Sequence, residues 1–183
     1  LLRPMHSGGH LAGPAFTVRT RPGDNLMIHK AFDIAESGDV VVVDAGGDLT
    51  NSLVGEIMLS HAKKRGLAGV VINGAVRDYG WIKTHDYPVF AAGVTHRGPY
   101  KDGPGEINVK LAMGGMVIEP GDLIVGDDDG FLCLPYDDAE AILAAAWKKN
   151  EAEEKTMAEI QAGKNDRSWV NAALTRLGCE IEE

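Results

Sequence analysis

Gly69-Val70-Val71-Ile72-Asn73-Gly74-Ala75-Val76-Arg77-Asp78 decides the fold. Gly69–Asn73 is an apolar, β-branched run without polar alternation, the mark of a strand covered on both faces. Gly74-Ala75-Val76 then leads to a charged pair, Arg77-Asp78. Upstream, Val40-Val41-Val42-Val43 is a second run of the same kind. Between the two runs lie a Gly-rich polar turn, Asp44–Asn51, and a helical stretch ending at Lys63-Lys64-Arg65-Gly66. Cations suit a helix C-terminus and glycine suits the residue after it. Downstream, Tyr79–His85 reads as a short helix and Pro88–Val94 as a third strand. Strand–helix–strand–helix–strand predicts an α/β fold with parallel pairing.

The flanks add different elements. Residues 1–14, rich in Gly, His and Pro, read as loop, and Ala15–Thr20 alternates like a strand. Pro22-Gly23 marks a turn, and Asp24 or Asn25 can cap a helix running to about Glu36. Thr95–Gly105 is a long polar loop, and Glu106–Ile118 is strand-like with a turn at Gly114-Gly115. Leu123–Val125 and Phe131–Leu134 flank Gly126–Gly130 as a hairpin does. Tyr136 to about Gln161 is a long, Ala-rich, charged helix, and Ser168–Leu177 a last short one. The sheet is therefore expected to be mixed, or split in two.

A length of 183 residues matches one domain. Lys plus Arg number 18 against 27 Asp plus Glu, for a formal net charge of −9. That lacks the basic face that nucleic acid requires, and it disfavours an anionic membrane surface. A hydrophobic fraction of 44% with 25% charged residues is that of an ordinary folded domain. Cys133 and Cys179 are far apart and form no CxxC, so a disulfide framework or zinc ribbon is not expected and a reducing cytoplasm is. No apolar run approaches membrane-helix length.

GxGxxG after a strand, GxxxxGK[ST], HExxH and GxSxG are all missing. The chemistry therefore has to be sought at strand ends, where α/β sheets open onto their ligands. Arg77 offers a planar fork for a carboxylate, and Asp78 a hard oxygen for a cation such as Mg²⁺. The plain alternative is a surface pair, with Asp78 serving as the first-turn charge of the next helix. Gly55-Glu56-Ile57-Met58 is the second candidate. If a helix starts near Gly55, its free amides and dipole form an anion site. If Asn51 or Ser52 caps an earlier start, Glu56 is only a solvated first-turn carboxylate. His96-Arg97 with Lys101 suits a second substrate carboxylate or is an ordinary polar loop. Asp127-Asp128-Asp129 reads as turn chemistry. His29, His61 and His85 read as structural, and Glu151-Ala152-Glu153-Glu154 as a solvated helix face.

Longer runs carry a resemblance. Pro22-Gly23-Asp24-Asn25, Val43-Asp44-Ala45-Gly46-Gly47-Asp48, Gly69–Asp78, Phe90–Lys101, Gly126–Gly130 and Asp166-Arg167-Ser168-Trp169-Val170 together resemble the 4-hydroxy-4-methyl-2-oxoglutarate / 4-carboxy-4-hydroxy-2-oxoadipate aldolases. These belong to a group similar to the regulator of ribonuclease activity A. The resemblance implies a swivelling β/β/α domain with a mixed sheet and a long C-terminal helix, in trimers or hexamers. Residues 1–183 then form a single aldolase-like domain, expected to lack an N-terminal helical segment. The implied activity is that of a class II pyruvate aldolase. Such an enzyme uses Mg²⁺, Mn²⁺ or another divalent metal to cleave 4-hydroxy-2-oxo acids to pyruvate, with oxaloacetate decarboxylation as a side activity and a place in aromatic-compound degradation. The family's pattern of an acidic residue, twenty residues and Arg-Asp is met by Glu56 with Arg77-Asp78, with Glu where the family commonly has Asp. The resemblance further implies metal on Asp78, catalytic roles for Arg77 and Glu56, and substrate held by Gly55, Glu56, Ile57, Met58 and Arg77. It implies a carboxylate from a neighbouring subunit's C-terminal helix, for which Glu153 is the first choice and Glu151 or Glu154 the alternatives. The competing class is a non-catalytic protein-binding regulator, whose motif departs at the Asp that this chain keeps as Asp78.

Overall fold

The computed structural model describes residues 2–179. One compact unit runs to Ala139, and a second starts at Glu140. The first unit contains β1 (Arg3–Pro4), β2 (Leu11–Thr20), α1 (Leu26–Ile34), β3 (Val40–Asp44), β4 (Ser52–Val54) and α2 (Glu56–Lys64). It continues with β5 (Gly69–Val76), α3 (Tyr79–Ile82), β6 (Val89–Val94), β7 (Gly105–Ile107), β8 (Leu111–Met113), β9 (Met116–Ile118), β10 (Leu123–Gly126) and β11 (Phe131–Leu134). The main sheet is mixed, in the order β1-β6-β5-β3-β2-β10-β11, with β4 added to β5 and β7 to β2. Pairing is parallel from β2 through β3 and β5 to β6, and antiparallel at both ends.

Val40–Val43 are all fully buried because the sheet is covered on both faces. Val41, Val43, Val70 and Ile72 join one core with Ile28 and Phe32 of α1 and Leu59 and Ala62 of α2. Val40, Val42, Val71 and Phe90 point the other way, into a second core with Leu111, Ile118 and Ile124. The period-2 alternation of strand side chains makes this division. The sheet curls until its ends approach, nearly closing a barrel. Arg3 Nη1 donates to Asp129 O at 3.2 Å, and the Phe90 and Phe131 rings meet edge-on at 5.7 Å.

Three expectations need correction. Residues 1–14 are not all loop: Arg3–Pro4 pairs with β6, and β2 starts at Leu11, whose buried–exposed alternation continues into Ala15. The helix expected directly after Asn51 is preceded by a strand, Ser52–Val54, which is wholly buried against β5. The strand expected to end at Asn73 continues to Val76.

The second unit holds most of α4 (Ala139–Gln161) and all of α5 (Ser168–Arg176). Both match the helices read from the sequence. Among the described residues no helix is long and apolar enough to cross a membrane.

Candidate functional site

β3 and β5 run side by side, with Asp44 opposite Asn73, so the turns that follow them share one rim of the sheet. β4 then lies against the end of β5, and Arg77 N–H donates to Val54 O at 3.0 Å. This sets Gly55 directly beside Arg77-Asp78. An ideal Cβ on Gly55 would fall 2.3 Å from Asp78 Oδ2 and 2.8 Å from Arg77 Cγ, so only glycine allows the approach. α2 starts at Glu56 with Gly55 as its N-cap. The late helix start is therefore the correct one, and neither Asn51 nor Ser52 caps α2.

Asp78 stands where the surface-pair alternative places it, at the start of α3 and within 3.7 Å of Arg77 Nε, but its carboxylate does not cap that helix. The residue occupies the N-cap position of α3 in the left-handed region (φ 56°, ψ 37°) and makes no side-chain cap bond there. Asp tolerates that conformation better than most residues with a side chain. Its Oδ2 instead accepts the amide of Glu56 at 2.9 Å and lies 3.7 Å from Arg77 Nε. The carboxylate is thus directed at the start of α2, and its side chain stays 40% exposed. The first three amides of a helix have no intrahelical acceptor. Asp78 takes that of Glu56, and those of Ile57 and Met58 remain as donors beside Arg77.

Arg77 and the start of α2 open onto a cavity of about 210 Å³, lined by Gly55, Ile57, Met58 and Arg77 and closed by Asn25, His29, Pro99 and Lys101. Asp78 lines a neighbouring, more open hollow of about 300 Å³ with Val94, Thr95 and His96, and Arg77 borders both. A larger groove of about 740 Å³, among Glu119, Asp122, Pro135 and Tyr136, holds none of the candidate residues. The smaller cavity is the better site because a cationic fork, a helix N-terminus and an unpaired acceptor converge there.

That acceptor belongs to Asn25. Its side-chain amide donates to Leu53 O at 2.8 Å and to Met58 Sδ at 3.2 Å, and Oδ1 is buried without a partner among the described residues. A buried carbonyl oxygen left bare is costly, so a ligand hydroxyl or water suits it. Asn25 stands at the N-cap of α1, as the sequence allows, but makes no side-chain cap bond there. His29, read as structural, lies one turn further along α1 in the cavity wall. Burial holds its imidazole below the ordinary histidine range, Lys101 and His61 push the same way, and Asp33 opposes them. The i,i+4 spacing of Asn25 and His29 puts both on one face of α1, but no local pattern marks that face as a cavity wall.

Lys101 lines the cavity, whereas His96 does not. Arg97 serves through its carbonyl, which accepts from Ser52 N at 2.9 Å and Ser52 Oγ at 2.6 Å. Glu56 is exposed in the first turn of α2. Glu153 lies in the second unit, on α4, with its Oε1 3.5 Å from Lys149 Nζ. Asp127–Asp129 is a hairpin turn: Asp127 N donates to Gly130 O and Asp129 N to Asp127 Oδ1, each at 2.9 Å. Among the described residues no group of three or more His, Cys, Asp and Glu is placed to hold a metal ion. His85 stacks on Trp81 at 4.0 Å, and His61 faces Asp33 at 3.7 Å.

The model of the RraA-like family, Aldolase/RraA, matches residues 1–133. The chain belongs to the RraA-like family. A relative from Halalkalibacterium halodurans, named "Putative 4-hydroxy-4-methyl-2-oxoglutarate aldolase", is 42% identical over 161 residues, 86% of this chain and 77% of the relative. Among solved structures, the RNA-processing inhibitor RraA from Thermus thermophilis aligns with a TM-score of 0.69 at 33% identity, over 73% of this chain and 81% of that one. A Geobacillus kaustophilus protein described as an S-adenosylmethionine: 2-dimethylmenaquinone methyltransferase aligns with a TM-score of 0.70 at 32% identity, over 74% of this chain and 83% of that one. RraA-like folds thus appear under catalytic and inhibitory names alike, and the site has to decide between them.

Proposed function

We propose that this RraA-like chain is a divalent-metal-dependent pyruvate aldolase acting on 4-hydroxy-2-oxo acids, with oxaloacetate decarboxylation at the same site. The observation that carries the reading is the placement of Asp78, whose carboxylate addresses the start of α2 beside Arg77 instead of capping its own helix. A regulator that works through protein contact has no need of such a carboxylate at a cavity.

A lone, partly exposed carboxylate suits Mg²⁺ or Mn²⁺, which accept one or two protein oxygens and fill their remaining positions with substrate and water. Asp78 would hold the cation, and the cation would supply Lewis-acid polarisation of the 2-oxo group. Arg77 and the amides of Ile57 and Met58 bind the 1-carboxylate and 2-oxo end. Asn25 Oδ1 accepts from a substrate hydroxyl, and Lys101 pairs with the second carboxylate. Glu56, exposed on the first turn of α2, orients a water that takes the 4-hydroxyl proton. The C3–C4 bond then breaks and its electron pair passes into the enolate of pyruvate. Arg77 stands at the cavity before that charge develops, and a cation already in position lowers the barrier. Protonation at C3 releases pyruvate. Loss of CO₂ from oxaloacetate reaches the same enolate.

The working unit in this reading is a trimer or hexamer, in which Glu153 of one chain completes the site of a neighbour. The test is lactate-dehydrogenase-coupled detection of pyruvate from 4-hydroxy-4-methyl-2-oxoglutarate, 4-carboxy-4-hydroxy-2-oxoadipate and oxaloacetate. Pyruvate from at least one of them is expected. Its absence from all three returns the chain to the regulator class, where a pulldown with ribonuclease E is the next measurement.

A further inference from the structure

Two segments far apart in sequence supply facing parts of the cavity lining: the start of α1, with Asn25 and His29, and the loop after β6, with Pro99 and Lys101. Asp24 lies between them with its side chain completely buried. Its Oδ1 accepts the amide of Leu26 at 2.9 Å. Its Oδ2 accepts the amides of Asp102 at 2.8 Å and Gly103 at 2.9 Å, and Arg21 Nη2 at 3.1 Å. Leu26 opens α1 directly after Asn25, and Asp102 directly follows Lys101. The backbone closes the same seam: Tyr100 N donates to Gly23 O at 2.8 Å and Asn25 N to Tyr100 O at 3.1 Å.

A buried carboxylate is costly unless donors surround it. Burial alone would raise the acid's titration range, yet the three amides and Arg21 together hold it below the ordinary carboxylate range. An asparagine cannot replace it, because its NH₂ would face either Leu26 N–H or the Asp102 and Gly103 amides. The Arg77–Asp78 end is set by other contacts, through β4, β5 and α2.

We infer that Asp24 is a positioning residue: its carboxylate fixes Lys101 relative to Asn25 and His29, and so sets the affinity for the part of the substrate that Arg77 does not hold. The inference rests on the reading of this cavity as an oxo-acid site. Loss of the Asp24 charge moves Lys101 and leaves the bond-breaking end in place.

The test compares Asp24→Asn, Lys101→Met and the double variant in the full chain, reading KM and kcat for pyruvate release from 4-hydroxy-4-methyl-2-oxoglutarate. Asp24→Asn is expected to raise KM about tenfold with kcat within about twofold, the signature of lost binding common to ground and transition states. The double variant is expected to match Lys101→Met within about twofold, because Asp24 acts through Lys101. Multiplicative losses, or a fall in kcat at unchanged KM, overturn the inference. If Asp24→Asn does not fold, Arg21→Met removes one donor and is expected to raise KM about threefold; an unchanged KM overturns the inference. If the wild-type chain releases no pyruvate, the aldolase reading fails and calorimetric titration with 2-oxoglutarate and with pyruvate, in Mg²⁺, decides the inference. Weaker 2-oxoglutarate binding in Asp24→Asn, with pyruvate binding unchanged, supports it. Equal binding by both proteins, or none by the wild type, overturns it.

Discussion

Asp78 Oδ2 accepts the backbone amide of Glu56 at 2.9 Å, linking the end of β5 to the first residue of α2. The proposed metal ligand and the helix terminus proposed to hold an anion are therefore joined by a direct hydrogen bond. The carboxylate is oriented by an amide it does not need for its own helix. Asp78→Asn keeps an acceptor for that amide and loses the charge. The expected result is an unchanged melting temperature and a loss of pyruvate release on the order of 100-fold or more, the scale on which electrostatic groups at reacting centres act. Thermal melts and the coupled assay on one preparation check both halves.

The backbone amide of Arg77 donates to the Val54 carbonyl, and the residue lines the cavity. Arg77→Lys keeps the charge but not the two-pronged geometry that fits a carboxylate. Most of the activity is expected to disappear, roughly 100-fold on the scale of a lost oriented donor. Near-normal turnover would remove Arg77 from the mechanism.

Gly55 is required by space. A Cβ there would lie 2.3 Å from Asp78 Oδ2. Gly55→Ala is expected to cost about 1–3 kcal/mol of stability, the usual range for overpacking. It is also expected to displace Asp78 and lose most of the activity. Denaturant unfolding and kinetics, measured together, show whether both effects appear.

Asp24 gives a pH dependence. Its buried carboxylate is held below its ordinary value of 3.8, so folding favours its ionised form. The stability this contributes is fully present above about pH 4 and is lost as pH falls through the lowered folded value. Asp24→Asn is expected to be less stable than wild type at pH 7, with the gap narrowing as the solution is acidified below pH 4. A gap that widens with acid would reverse the assignment.

Cys133 donates toward Asp122 Oδ2 at 3.4 Å, and burial together with that carboxylate pushes its thiol up to about 12. The thiolate is the reactive form. At pH 8 a thiol reagent is therefore expected to modify exposed Cys179 quickly and Cys133 slowly, which peptide mass mapping resolves.

Much of this arrangement was legible in the sequence because burial and spacing are local signals. The Val40–Val43 and Gly69–Ile72 runs announce strands covered on both faces, and the family resemblance, through Glu56, twenty residues and Arg77-Asp78, points to the right pair of turns. Ser52–Val54 was not legible, since a three-residue strand carries too little periodicity to separate from a helix start. Asn25 and His29 were missed for a different reason. Their roles come from where α1 lies against β4 and the Pro99–Lys101 loop, and tertiary placement leaves no mark on local pattern. The αL backbone of Asp78 was equally invisible, although it decides that the carboxylate turns away from its own helix.

The central claim is that Asp78 makes this chain a metal-dependent pyruvate aldolase. The most direct measurement is pyruvate release from 4-hydroxy-4-methyl-2-oxoglutarate by wild type and Asp78→Ala side by side, first in chelator and then with Mg²⁺ restored. The account predicts that chelator silences the wild type, Mg²⁺ revives it, and Asp78→Ala stays silent in both. Cleavage by Asp78→Ala that rises on Mg²⁺ addition would contradict it.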